Sequence, residues 1–262
     1  MGLTKDFALN ASPYFRCKIV RTDLMKASKS PVSNYFSVLI ELLRDRHSFM
    51  ADIGKNERVK TKITALLFSS SIFFAVYGLI MGSFSGWMQA ISSAVKLPIL
   101  YLMTMTICLP TLYFFNILFG SRKNFIQHIG VVIAAVASIS VLLFSFAPVT
   151  LFFLISAPNQ YSFFLLLNVA VLTLTGCVGI KFLYDGMQLI SEQEEGTLEG
   201  KQNQTKLLKS WLFLYAFVGS QLGWTLRPFF GSPDRPFQLF RNLEGNFYQG
   251  VLTAILNLFV GS

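Results

Sequence analysis

Residues 125–155 read FIQHIGVVIAAVASISVLLFSFAPVTLFFLI, an unbroken run without Asp, Glu, Lys or Arg. About 20 apolar residues suffice for a helix to cross the hydrocarbon core of a bilayer. Lipid offers no water to backbone N–H and C=O groups, so a segment dissolved in it must close its own hydrogen bonds as a helix. The run is longer than one upright crossing requires, and Pro148 is expected to break or tilt it because proline removes a backbone donor. Working outward, residues 63–81 hold no charge, and residues 97–119 form a second apolar run with Pro98 near its start and Pro110 inside it, where a kink is expected. Residues 161–183 and 207–226 give two more. The last apolar segment, Phe247–Val260, is short for a full crossing. Residues 82–96, GSFSGWMQAISSAVK, are small, amphipathic and Trp-bearing, which suits an interfacial or re-entrant turn. The predicted fold is all-α: a polytopic transmembrane helix bundle of about six spans over residues 62–262.

Composition agrees with that reading. Only 13% of residues are charged, against about 25% in an average soluble domain, so the chain has roughly half the charge needed to coat a water-exposed surface. Its 27 Phe residues would be hard to hide in a soluble core of this size, and the mean hydropathy is +0.54. Residues 1–61 are polar and basic with no long apolar stretch, so no cleavable signal peptide is expected and the first apolar run is the first span. Within them, residues 32–50, VSNYFSVLIELLRDRHSFM, place Tyr35, Phe36, Leu39, Ile40 and Leu43 at helical spacing, with Ser33 or Asn34 as N-cap. This predicts an amphipathic helix on the membrane surface or packed beneath the bundle.

Orientation follows from the basic residues. With a cytoplasmic N-terminus, 17 Lys and Arg fall on the cytoplasmic side and four (Lys96, Arg227, Arg235 and Arg241) on the other. Lys181 stands near the cytoplasmic end of its span. The expected location is a plasma or inner membrane with the N-terminus in the cytoplasm. The net charge of +9 is then topological; no basic stripe with interleaved aromatics points to nucleic acid.

Little chemistry is legible. Cys17, Cys108 and Cys177 form no CxxC spacing, and His47 and His128 are far apart in the chain. No HExxH, GxSxG or Walker loop occurs, and residues 82–86 (GSFSG) place Phe84 where a nucleophile elbow needs serine. Neither catalytic residues, metal ligands nor a cofactor is expected. Lys181 and Asp185, four apart on one helix, are the candidate intramembrane polar pair. Gly78 with Gly82, Gly219 with Gly223, and Gly176 with Gly179 have the spacing that lets helices approach closely. Gln221, Trp224 and Arg227 fall at one-turn spacing before a Pro- and Arg-rich stretch. With Arg235 and Arg241 they are the candidate contact for a lipid headgroup or another protein.

The basic helical N-terminal region ahead of a closely spaced five- or six-span bundle resembles the Yip1-like membrane proteins. That resemblance implies a membrane-organising adaptor rather than an enzyme. Residues 49–62, FMADIGKNERVKTK, are similar to the WH2 actin-monomer-binding motif. Phe49, Met50, Asp52 and Ile53 match its helical part and Val59 and Lys60 its later part, while Thr61 and Lys62 depart from it; the resemblance implies actin as a partner. The leading expectation is a non-enzymatic scaffold or assembly factor whose partners are the bilayer and other membrane proteins. A transporter or channel component, a WH2-like actin-binding membrane protein and a membrane-embedded lipid enzyme are the competing readings.

Overall fold

The computed structural model describes residues 31–55, 58–118, 124–157, 160–192, 198–229, 239–240 and 247–260. Among them, all regular structure is helical: α1 (Pro31–Arg44), α2 (Arg46–Gly54), α3 (Val59–Gly82), α4 (Trp87–Leu118), α5 (Phe125–Ser156), α6 (Tyr161–Glu192), α7 (Leu198–Thr225) and α8 (Phe247–Val260). Four helices are long and apolar enough to cross a bilayer, over Val59–Ser85, Trp87–Phe114, Phe125–Ser156 and Tyr161–Leu189. Helix α7 contains the expected fifth run and α8 coincides with the short sixth, but among the described residues neither joins those four. The bundle turns large apolar side chains outward, among them Phe152, Ile155, Phe213 and Trp87. Such a surface is costly in water and suits hydrocarbon.

Helix α5 is the axis. Every residue from 131 to 140, VVIAAVASIS, is buried. Alanine and β-branched side chains there are short on all faces, so α3 and α6 pack directly on it. The N-terminus of α5 is closed by a capping box: the Asn124 side chain accepts from the first turn, and the Asn124 N–H donates to Gln127 Oε1 at 2.8 Å.

Several boundaries differ from those the sequence predicts. Residues 82–96 are not a re-entrant turn. A short 3₁₀ turn, Ser83–Ser85, reverses the chain; Gly86 takes φ +116°, where a side chain is strained; and α4 starts at Trp87. Helix α4 runs through both Pro98 and Pro110, and α5 continues across Pro148 to Ser156, so the expected break there does not occur. The predicted N-terminal helix is two helices. Asp45 divides them, its carboxylate accepting from Ser48 N at 3.1 Å as the N-cap of α2.

Candidate functional site

Polar side chains gather at both ends of the apolar bundle. At the end where α3 and α5 begin, α1 and α2 pack against the long helices. Buried Lys62, on the first turn of α3, donates to Asp52 at 2.8 Å and to Glu41 at 3.3 Å, and its ammonium sits 4.3 Å from the Phe49 ring centre. Gln127 Nε2 donates to the Gly54 carbonyl at 2.7 Å, tying α5 to the end of α2. Arg46 pairs with Asp185 of α6 at 3.4 Å and lies over the Phe182 ring. Leu39, Leu42, Phe49, Met50 and Ile53 are buried beneath this cap, whereas Ile40 and Leu43 are more than half exposed.

At the opposite end, Gln89, Ser93 and Lys96 recur at i, i+4 and i+7 on the first turns of α4, one face of the helix. All three grip the stretch after α7. Gln89 Nε2 donates to the Pro228 carbonyl at 2.6 Å, Ser93 Oγ to the Phe229 carbonyl, and Lys96 Nζ to the carbonyls of Pro228 (3.3 Å) and Leu239. The Lys96 ammonium also lies 4.9 Å from the Phe240 ring centre. Pro228 and Phe229 are buried, so side-chain donors take the place of water at their carbonyls.

Between the ends, Tyr77 of α3 donates to Asn168 Oδ1 of α6 at 2.9 Å and stands 3.3 Å from Thr150 Oγ1 of α5. Asn168 Nδ2 turns back to the Phe164 carbonyl, so the amide is satisfied on both sides. Trp211 of α7 donates to the Cys108 carbonyl of α4 at 2.9 Å.

A cavity of about 850 Å³ lies among α4, α5, α6, α7 and α8, its wall mostly apolar. Trp224, Arg227 and Pro228 line one end, where the Arg227 guanidinium carbon sits 3.8 Å from the Trp224 ring centre. Gly176 and Gly223 also line it, and a Cβ added at either would meet nothing within 4 Å. Gly78 and Gly82 behave oppositely: a Cβ at Gly82 would come within 2.6 Å of the Gln89 carbonyl oxygen.

Of the residues singled out in the sequence, Trp224 and Arg227 come together as their spacing implied. Gln221 is half-buried on α7 and is not part of the cavity wall; Arg235 and Arg241 lie outside the described residues. The expected Lys181–Asp185 pair is not formed. Asp185 reaches Arg46 instead, and Lys181 is exposed. In the WH2-like stretch Phe49, Met50, Ile53 and Val59 are buried, Asp52 is taken by Lys62, and Lys60 is exposed. Gln89, Ser93 and Lys96, and Tyr77, Thr150 and Asn168, were not among the candidates. The seven-residue polar period at 89–96 was the signal for the first set. A metal site is not formed by His, Cys, Asp and Glu among the described residues. No protein-family model matches this chain, nor does any curated protein or solved structure.

Proposed function

We propose that this chain is a non-enzymatic membrane scaffold or assembly factor, with its N-terminus in the cytoplasm and α7 and α8 completing a bundle of about six membrane-embedded helices. The class is the one implied by the resemblance to Yip1-like proteins. In this reading α1 and α2 form a cap on the cytoplasmic ends of the spans. The observation that carries it is the two-sided character of α1. Its Leu39 and Leu42 edge is buried in the bundle, while Ile40 and Leu43, beside exposed Arg44, face outward. A cap tied down by Lys62 and Arg46 presents that edge in a fixed position to the headgroup layer or to a neighbouring membrane protein. Basic residues near an anionic cytoplasmic leaflet each add on the order of 1 kcal/mol.

The test is a photo-reactive residue placed at Ile40 or Leu43 of the full-length protein in its native membrane, with adducts read by mass spectrometry. One recurrent membrane-protein partner is expected, lost on Ile40→Glu with Leu43→Glu. Recovery of no recurrent partner overturns the scaffold. The cavity favours a second reading, a transporter or channel component, and substrate-dependent flux by the purified protein in liposomes would establish it.

A further inference from the structure

The cavity among α4, α5, α6, α7 and α8 has the shape and polarity of a lipid site. Its wall on α6 runs from Tyr161 to Leu183, about 33 Å of helix at 1.5 Å per residue. A lipid tail in one leaflet needs about half of a hydrocarbon core roughly 30 Å thick, so an extended acyl chain fits along it. Gly176 and Gly223 keep the wall open where any side chain would narrow it, and no protein atom lies close enough to fill the space. An apolar slot at the depth of the spans is supplied from the bilayer rather than from water.

One end of the slot differs from the rest. Trp224 and Arg227 stand there, an indole of the kind enriched at membrane interfaces with a guanidinium over its face. Arg227 lines this end, Lys96 stands beside it on the Pro228 carbonyl, and no carboxylate lines the cavity among the described residues. That surplus of positive charge complements an anion. Arg227 need not be free of other partners for this, because a guanidinium has five N–H donors and can serve a phosphate beside them. We propose that the slot holds one phospholipid with an anionic headgroup, its acyl chain along Gly176 and Gly223 and its phosphate at the Trp224–Arg227 end. This goes beyond the scaffold reading and does not rest on it, since it requires only that the helices be embedded in a membrane.

The experiment is native mass spectrometry of the purified full-length protein in mixed micelles with equimolar dioleoyl phosphatidylglycerol and dioleoyl phosphatidylcholine. One phosphatidylglycerol should be retained at least tenfold over phosphatidylcholine, a preference in the range of one charge-assisted contact. Arg227→Gln should bring the ratio close to one. Gly176→Leu and Gly223→Leu should lose the adduct without lowering the Tm measured in lipid-free detergent, because the new side chains occupy space the protein leaves empty. Equal retention of the two lipids by the wild type overturns the proposal, as does a folded Gly→Leu variant that keeps the adduct. If the leucine variants do not fold, the Gly176→Ala, Gly223→Ala double variant decides: a several-fold fall in retention supports the slot, and unchanged retention overturns it.

Discussion

Replacing Gly78 with alanine should weaken the bundle, although alanine is the better helix former. Helix α3 meets α4 at this residue with no side chain between them. A Cβ at Gly78 would strike the Ser93 carbonyl oxygen and stand 2.9 Å from the Ser93 carbonyl carbon and 3.1 Å from Ala94 Cα. All three are backbone atoms, so no rotamer change relieves the contact and the two helices must separate. Alanine in a helix interior gains about 0.5–1 kcal/mol over glycine, while overpacking a tight contact costs about 1–3 kcal/mol. Backbone against backbone belongs in the upper half of that range, which leaves a net loss of about 1–2.5 kcal/mol. Gly176→Ala, in the interior of α6, should do the reverse. A Cβ there meets nothing within 4 Å, so only the propensity gain of about 0.5–1 kcal/mol acts. Unfolding by SDS titration in mixed micelles, followed by circular dichroism, measures both variants against the wild type. A Gly78→Ala variant as stable as Gly176→Ala would refute the close contact and, with it, the account of how α3 and α4 pack.

Lys62→Met leaves Asp52 and Glu41 without their common cation; both carboxylates are partly exposed, so a loss of only about 1 kcal/mol is expected. Limited proteolysis should then cut within residues 31–55 faster than in the wild type while the spans stay protected. Lys96→Ala removes the donor to the Pro228 and Leu239 carbonyls. Hydrogen exchange should rise in residues 226–229 and 239–240 and stay unchanged in α5. Asn168→Leu takes the acceptor from Tyr77 but leaves Thr150 beside it. The expected cost is about 0.6–1.7 kcal/mol, the range of such bonds in membranes. Combining it with Tyr77→Phe should add little, which a double-mutant cycle in the same SDS titration reads directly.

What was legible in the sequence was whatever a window of some twenty residues can carry. The apolar runs that became α3, α5 and α6 are unambiguous because polar residues within them, such as Asn168, are too sparse to offset the apolar majority. The start of α4 was not legible for the opposite reason. Gln89, Ser93 and Lys96 lower the local hydropathy, and their character depends on partners far away: Gln89 meets Pro228, 139 positions further on. Read alone, such residues look like an interface; with their carbonyl partners in place they are buried. The same limit governs Asp185. Its nearest cation along the helix is Lys181, but Arg46 of the cap is brought to 3.4 Å by the packing of α2 against α6. Glycine spacing was the weakest guide. Gly78 with Gly82 and Gly219 with Gly223 share one pattern, yet the first pair admits a neighbouring backbone and Gly223 faces open space. Trp224 and Arg227 lie against each other where α7 ends, a local contact that needs no distant partner.

The hydrogen-bonded polar side chains inside the bundle fall into two kinds, and only one holds helices together. Ser70, Thr104, Ser138 and Thr175 each bond a carbonyl three or four residues back in their own helix. They satisfy themselves and constrain no neighbour. Tyr77, Gln89, Ser93, Lys96 and Trp211 instead bond atoms of another segment. Most of these crossing bonds lie where α4 meets the stretch after α7, while Lys62, Arg46 and Gln127 fasten the other end. Helices α7 and α8 are joined by the Ser220 and Tyr248 hydroxyls at 3.3 Å, and the cavity lies beside them, its wall mostly apolar. Filling it restores van der Waals contacts that the helices do not make with one another. A ligand bound there by the folded state alone stabilises it in proportion to the logarithm of its concentration over Kd. The bundle's stability in detergent should accordingly rise with added anionic phospholipid, and the rise should vanish when Gly176 or Gly223 becomes leucine.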